Sequence, residues 1–337
     1  MISISTHIHF SNSLNKVLPS KKLCMELIFL IIFFGAIVLD LTMGELPVNI
    51  HPVVWMGKLI SYLKTFLIKI NSKFSGFILT MLLLILFIVP LILLLKILSF
   101  NLIIYIFFSL VILSTTFSIK FLISSIQDIK KDLKCNLEIA RQSMSFLVSR
   151  DTKSLKKEEI VSAAIETLSE NITDSVVAPL FYSVLFGIPG AFIYRIINTL
   201  DAMVGYKDEE NYLIGYFPAK VDDILNYIPA RFTGIILVVS SLILGFNWKN
   251  SWKVMIKDAG NTPSPNSGYT MAAVAGALEV SLIKPGVYKL GSPQRDLNPE
   301  TINDAIKLTK LTIIISIILL IVLQLILLIL VFNKAFI

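Results

Sequence analysis

The sequence predicts an all-α, polytopic integral membrane protein with four strong transmembrane helices, two weaker apolar segments and large polar helical loops. Three observations carry this prediction. Hydrophobic residues make up 55% of the 337 and charged residues 16%, against about 45–50% and about 25% in an ordinary soluble domain. Mean hydropathy is +0.79. Several uninterrupted apolar runs reach the roughly 20 residues that a helix needs to cross a hydrocarbon core of about 30 Å. The excess of 30 Lys/Arg over 23 Asp/Glu, a net +7, suits a protein seated in a lipid bilayer with an anionic surface. No stripe of basic residues alternates with stacking aromatics, so nucleic acid is not expected as a partner. Cys24 and Cys135 are too few and too far apart for a disulfide framework or a zinc site.

Residues 1–24 form a polar N-terminal extension ahead of a single membrane-embedded domain over 25–337. Lys16, Lys21 and Lys22 precede the apolar run 27–39 as in a signal peptide, but no small-residue cleavage site follows, so the first span is expected uncleaved over 23–43. Met25 is an alternative start. The runs 76–95 and 97–119 contain no charge and form a hairpin with Lys96 at its turn; 311–332, interrupted only by Gln324, is the fourth strong span. Segment 176–200 is broken by Pro179, Gly187, Pro189 and Gly190 and carries Arg195, while 233–246 has only 14 residues. Irregular backbone is tolerated at membrane depth only where protein or a water-filled cavity covers it. With both segments re-entrant, the polar loops 40–75, 120–175, 201–231 and 247–310 share one face. They hold 24 of the 30 Lys/Arg, which predicts a multi-pass cell-membrane protein with cytoplasmic loops and outward termini. A six-span arrangement, with 201–231 on the opposite side, competes with this. There is no internal repeat.

The polar loops contain the groups capable of chemistry. A polar helix is expected over 125–149, then a second with Ser154 as N-cap. In the second, Ile160, Val161, Ala164, Ile165 and Leu168 share one face, and Glu166, Glu170 and Asp174 recur at i, i+4 and i+8 on the other. Such an acidic stripe is either solvated or a set of carboxylates for a cation or a magnesium-bound phosphate. Asn171 follows Glu170. Further on come Asn198-Thr199-Leu200-Asp201 and Asp222-Asp223-Ile224-Leu225-Asn226-Tyr227-Ile228-Pro229-Ala230-Arg231. Carboxylates beside an amide and a guanidinium can assemble a magnesium site next to an anion clamp; a charge cluster at a helix N-terminus with a snorkelling Arg is the alternative. The turn Asn261-Thr262-Pro263-Ser264-Pro265-Asn266-Ser267-Gly268 precedes a small-residue helix over 271–278. Two prolines fix this turn and Gly268 permits positive φ; backbone N–H groups there either receive an anion or simply start the helix. His51, beside Asp40, Gly44 and Pro52, is the only histidine outside the N-terminal tail and is either structural or a proton carrier; His7 and His9 have no assigned role. The P-loop, the G-x-G-x-x-G fingerprint and H-E-x-x-H are all absent, so any nucleotide is bound without a P-loop.

In their order along the chain these segments resemble the CobD/CbiB family of integral membrane proteins of cobalamin biosynthesis, the adenosylcobinamide-phosphate synthases. The resemblance runs from about Leu27 to the C-terminus. It rests on Asp40…Gly44 with His51-Pro52-Val53 and Gly57; Arg150-Asp151-Thr152; Glu166…Glu170-Asn171…Asp174 with Ala178-Pro179-Leu180-Phe181; Asn198-Thr199-Leu200-Asp201…Gly205-Tyr206; Asp222-Asp223…Asn226…Pro229-Ala230-Arg231; Ser264-Pro265-Asn266-Ser267-Gly268; and Pro285-Gly286…Tyr288. Glu45 stands where the family commonly has Asp, and Thr262 where a basic residue or His often precedes the Ser-Pro-Asn turn.

The resemblance implies an ATP- and Mg²⁺-dependent amide ligation that joins the free propionate carboxyl of adenosylcobyric acid to aminopropanol or its phosphate. It implies Glu170, Asp174, Asp222 and Asp223 around the magnesium, and Arg150, Asn198, Asp201, Arg231 and Ser264 on substrate and phosphates. Asn171, Asn226 and Asn266 would act on the substrate carboxyl, with His51, Glu170 or Asp223 as base. The partners implied are the corrinoid, the amino alcohol, the bilayer and other enzymes of the pathway. A transporter subunit and a non-catalytic membrane scaffold are the rival readings. Against the transporter, the acids lie in loops while the strongest spans are almost free of charge.

Overall fold

A computed structural model describes residues 21–206 and 208–333; most of the expected N-terminal extension, with His7 and His9, lies outside the described residues. In chain order the elements are α1 (Lys21–Met43), α2 (Pro52–Leu67), α3 (Lys73–Leu98), α4 (Leu102–Ser114), α5 (Ile119–Cys135), α6 (Leu137–Ser145), α7 (Lys157–Ile172), α8 (Ala178–Val204), α9 (Tyr216–Ile243), α10 (Trp248–Asp258), α11 (Ser267–Leu278), β1 (Ser281–Lys284), β2 (Tyr288–Gly291) and α12 (Pro299–Asn333). The protein is an all-α membrane protein. Among the described residues, five helical stretches are long and apolar enough to cross a bilayer: Lys73–Leu98, Leu102–Cys135, Lys157–Val204, Tyr216–Ile243 and Pro299–Leu330. Leu27–Met43 is a shorter apolar helix. The most apolar windows of α3 and α12 are only 22% buried, and their outward residues, such as Ile85, Leu86, Val89, Ile318 and Val322, are exposed. In water so large an apolar surface would drive association, whereas lipid chains solvate it.

The region expected as one domain over 25–337 comprises two compact units. The first contains the described parts of Met1–Ser118, Pro179–Asp222 and Leu319–Ile337; the second contains Ile119–Ala178 and Asp223–Ile318. In the first unit α1 packs on α4 and α2 on α3, around Ile32, Phe33, Met56, Ile60, Leu79, Leu83 and Leu113. The turn of the hairpin is not at Lys96, which belongs to the last turn of α3, but at Ser99 to Asn101. Asn101 Oδ1 accepts from the N–H groups of Ile103 and Ile104 and so starts α4. The broken segment becomes α8, with Gly187 at φ 69° and ψ −164°, a conformation essentially reserved for glycine.

In the second unit α7 is central: Ile160, Val161, Ala164, Ile165 and Leu168 are all fully buried, as their spacing predicts. The polar helix expected over 125–149 is instead two helices, because Asn136 Oδ1 accepts from Glu138 N–H and restarts the chain as α6. Nor is Ser154 the N-cap of α7. Lys156 holds that position, its N–H donating to Glu159 Oε2 at 2.6 Å. A π-helical turn at Thr173–Val177 follows α7 and shifts Asp174 out of the strict i, i+4, i+8 line. The 14-residue segment expected over 233–246 is the end of a 28-residue helix, α9. Helix α11 begins at Ser267, earlier than expected, and Gly268 is helical without positive φ. Glycine is needed there for close approach: a Cβ would run into the Ala259 carbonyl. The small antiparallel hairpin β1–β2, paired Ser281 with Gly291 through Lys284 with Tyr288, has no counterpart in the sequence expectations.

Candidate functional site

Within the second unit, segments distant in sequence meet around Arg231. This residue lies on α9 one turn beyond Tyr227, and its Nη1 donates to Tyr227 O at 2.7 Å and to Asn266 Oδ1 at 3.2 Å. Its guanidinium carbon sits 3.4 Å from the Tyr227 ring centroid and 4.3 Å from that of Tyr269. Two aromatic faces attract the cation without neutralising it, which leaves its charge available to an anion. Asn266, only 4% exposed, completes the arrangement, with Nδ2 donating to the Asp223 carbonyl at 2.8 Å. Ser264 fixes the turn in between: its Oγ accepts from Asn266 N–H, and its carbonyl accepts from Thr262 Oγ1. Asn266 therefore braces Arg231 against the start of the segment that carries Asp223 and Asn226. Asn226 is buried on α9.

A second polar cluster in the same unit centres on Glu166, 4% exposed. Its Oε2 accepts from Arg150 Nη2 at 2.9 Å and from the Tyr288 hydroxyl at 2.7 Å, and its Oε1 accepts from Ser162 Oγ at 2.6 Å. Ser162 Oγ in turn accepts from Ile283 N–H of β1. Burial, and then the adjacent Glu166 carboxylate, push the Tyr288 phenol far above its usual range, so it stays protonated as a donor. A buried carboxylate fully supplied with donors is a structural bracket, and Arg150, expected on phosphates, is committed to it. The solvated-stripe alternative fails at Glu166. Glu170 and Asp174 are half-buried. Asn171 donates to Thr167 O and accepts from Ser175 Oγ.

In the first unit, Asn198 Nδ2 approaches Asp222 Oδ1 at 3.5 Å, the outer limit for such a bond. Asp201 receives the Gly205 N–H on its carbonyl, and its carboxylate lies where a Gly205 Cβ would be. His51 is buried and caps α2, its Nδ1 accepting from Val53 N–H at 3.2 Å. Burial holds its imidazole below the ordinary 6.5, with Arg195 adding to that and Glu45 opposing it. A neutral imidazole has one acceptor nitrogen, and here the helix cap occupies it. In this arrangement His51 serves as the cap of α2. Among the described residues no three His, Cys, Asp or Glu side chains lie close enough to hold a metal ion by themselves. A cation at Glu170, Asp174, Asp222 or Asp223 would have to complete its coordination with oxygens from a ligand or water.

Sequence reasoning named Tyr227 and Tyr288 within their motifs without giving either a role, and missed the Tyr269 ring. Tyr227 was detectable as the residue one helical turn before Arg231; Tyr269 had no local signal.

The fold is that of a polytopic all-α membrane protein, and its second unit carries polar clusters around Arg231 and Glu166. A profile of the CobD/Cbib protein family matches residues 33–312. The probable cobalamin biosynthesis protein CobD of Methanothermobacter thermautotrophicus is 53% identical over 83% of this chain and 93% of its own length. The corresponding protein of Methanocaldococcus jannaschii is 43% identical, over 85% and 95%. The cobalamin biosynthesis protein CobD of Dehalococcoides mccartyi is 40% identical, over 83% and 92%. No solved structure matches the chain. The chain belongs to the CobD/Cbib family, which places it in cobalamin biosynthesis.

Proposed function

We propose that the chain is an ATP-dependent ligase that forms an amide between the free propionate carboxyl of adenosylcobyric acid and the amine of aminopropanol or its phosphate ester. Family membership supports the pathway, and the single observation supporting the chemistry is the Arg231–Asn266–Asp223 arrangement. A carboxylate is a poor electrophile, so one of its oxygens first attacks the γ-phosphorus of ATP and ADP leaves, giving an acyl phosphate. The amine then attacks the acyl carbon, phosphate departs, and the amine proton passes to a base. Arg231 meets the negative charge of the transferring group. Its stacking on Tyr227 and its bond to Asn266 fix its direction in advance.

Asn226 and Asn171 act on the substrate carboxyl, and Ser264 lines the substrate region of the second unit. With His51 engaged as a cap, the proton falls to a carboxylate, Asp223 or Glu170. The carboxylates offer hard oxygen donors suited to magnesium, which needs only one or two of them when a nucleotide supplies the rest. The magnesium, when bound, would neutralise phosphate charge; in the second unit Glu170, Asp174 and Asp223 are the residues that would hold it. The polar loops face the cytoplasm in this proposal.

Full-length protein in detergent, supplied with ATP, Mg²⁺, adenosylcobyric acid and aminopropanol or its phosphate, should yield the amide and ADP together. Unspent ATP and no amide would overturn the ligase in favour of a scaffold. Full activity of both Asp223→Asn and Arg231→Ala would overturn the site.

A further inference from the structure

Helix α10 has three faces. Ser251, Val254, Met255 and Asp258 are buried. They lie against α11, where Ser251 Oγ donates to Ala273 O and Asn250 Nδ2 to Gly276 O, both at 2.8 Å. A second face carries Trp248, Trp252 and Ile256, one turn apart, exposed by 39%, 46% and 61%. A third carries Lys249, Lys253 and Lys257 at the same spacing, all exposed. The two tryptophans also close an apolar groove of about 250 Å³ with Ile235, Val238, Val239 and Leu242 of α9.

The order of these parts along the chain indicates the groove's occupant. Helix α9 is apolar enough to span a bilayer and ends at exposed Leu242, Ile243 and Leu244. Gly245, at φ 74°, turns the chain directly into α10. A short helix that leaves a spanning helix with tryptophans on one side and lysines beside them matches the chemistry of the headgroup layer. Tryptophan rings settle there, and lysines reach the phosphates.

We propose that α10 and the end of α9 form a binding site for an anionic phospholipid, with one acyl chain in the groove and the headgroup held by Lys249, Lys253 and Lys257. Charge complementarity and continuity with a spanning helix select this ligand over an apolar peptide. The seat is preorganised because hydrogen bonds already lock α10 to α11.

The test uses full-length protein with Trp55→Phe, which leaves Trp248 and Trp252 as the only tryptophans of the chain. It is reconstituted in mixtures of ordinary phosphatidylcholine with either brominated phosphatidylglycerol or brominated phosphatidylcholine. Bromine on the acyl chains quenches indole fluorescence on contact, so the two quenching curves give the relative affinity of the site for each lipid. The expected result is quenching by both lipids with a preference of at least about fivefold for phosphatidylglycerol, the scale of one lysine near an anionic surface. That preference should fall to about onefold in Lys249→Gln/Lys253→Gln/Lys257→Gln and be kept in the corresponding triple Lys→Arg variant. Equal quenching by the two lipids, no quenching, or a preference that survives the Lys→Gln changes would overturn the proposal.

Discussion

Asn266 Nδ2 donates to the Asp223 carbonyl at 2.8 Å across 43 residues of chain. That bond joins the Ser-Pro-Asn turn before α11 to the Asp-Asp segment of α9, so two polar segments legible separately in the sequence occupy one place in the fold. Because Asn266 Oδ1 also accepts from Arg231, one amide sets both the backbone of the acid and the direction of the cation.

Asn266→Ala removes both bonds in a nearly buried location. Unfilled hydrogen-bonding groups of this kind cost about 1–3 kcal/mol. The variant should melt at lower temperature in detergent and, in the ligation assay, lower kcat more than it raises KM for ATP, because Arg231, which meets the charge of the transferring group, loses its brace. A melting loss with unchanged kcat would confine Asn266 to a structural role.

The Glu166 bracket predicts a different pattern. Arg150→Met leaves a buried carboxylate without its cation, a change that costs about 3–5 kcal/mol when one partner of a buried pair is removed. Tyr288→Phe removes one hydrogen bond and should cost about 1–2 kcal/mol. In Arg150→Met/Glu166→Gln the charge left behind by the first change is gone, so the double variant should be more stable than Arg150→Met alone. Denaturant unfolding in detergent measures all three.

Much of the fold was legible because its signals are local. The burial of Ile160, Val161, Ala164, Ile165 and Leu168 follows from helical spacing, and the break in α8 falls at a glycine followed two residues later by Pro189. What stayed hidden depends on contacts between distant residues. Tyr288 reaches Glu166 across 122 residues, and it does so from a hairpin that four-residue strands barely announce. Ser154 was the better cap by residue type, yet the Glu159 carboxylate reaches back to Lys156 N–H and starts α7 there. At the site, the residue types pointed to anion and cation chemistry, but only the fold distinguishes Arg231, stacked on two rings, from Arg150, paired with a buried acid.

Gly187 supplies a test of the break in α8. Its φ of 69° and ψ of −164° belong to a region that side chains avoid. A Cβ there would meet nothing nearer than Pro189 Cδ at 3.8 Å, so an alanine would be strained by its backbone alone. Gly187→Ala should cost on the order of 1–3 kcal/mol, visible as a lower melting temperature, whereas Gly187→Ala behaving as wild type would place the break elsewhere.

His51 predicts how the first unit responds to pH. Its folded pKa lies below the ordinary 6.5 because burial disfavours the imidazolium, so between the two values the unfolded chain binds more protons than the folded one. Unfolding free energy therefore rises with pH through that window. The stability tied to neutral His51 is fully present above about pH 6.5 and is lost as pH falls towards the depressed folded value. Protonation of Nδ1 would also end its acceptance of the Val53 N–H. Asparagine caps helices well without titrating, so His51→Asn should flatten this dependence. Melting temperatures of wild type and variant between pH 5 and 8 should diverge only on the acid side, with the wild type falling more steeply. Parallel curves would mean that folding leaves the His51 pKa unshifted, and a wild type that gains on the acid side would mean that the Glu45 carboxylate outweighs burial.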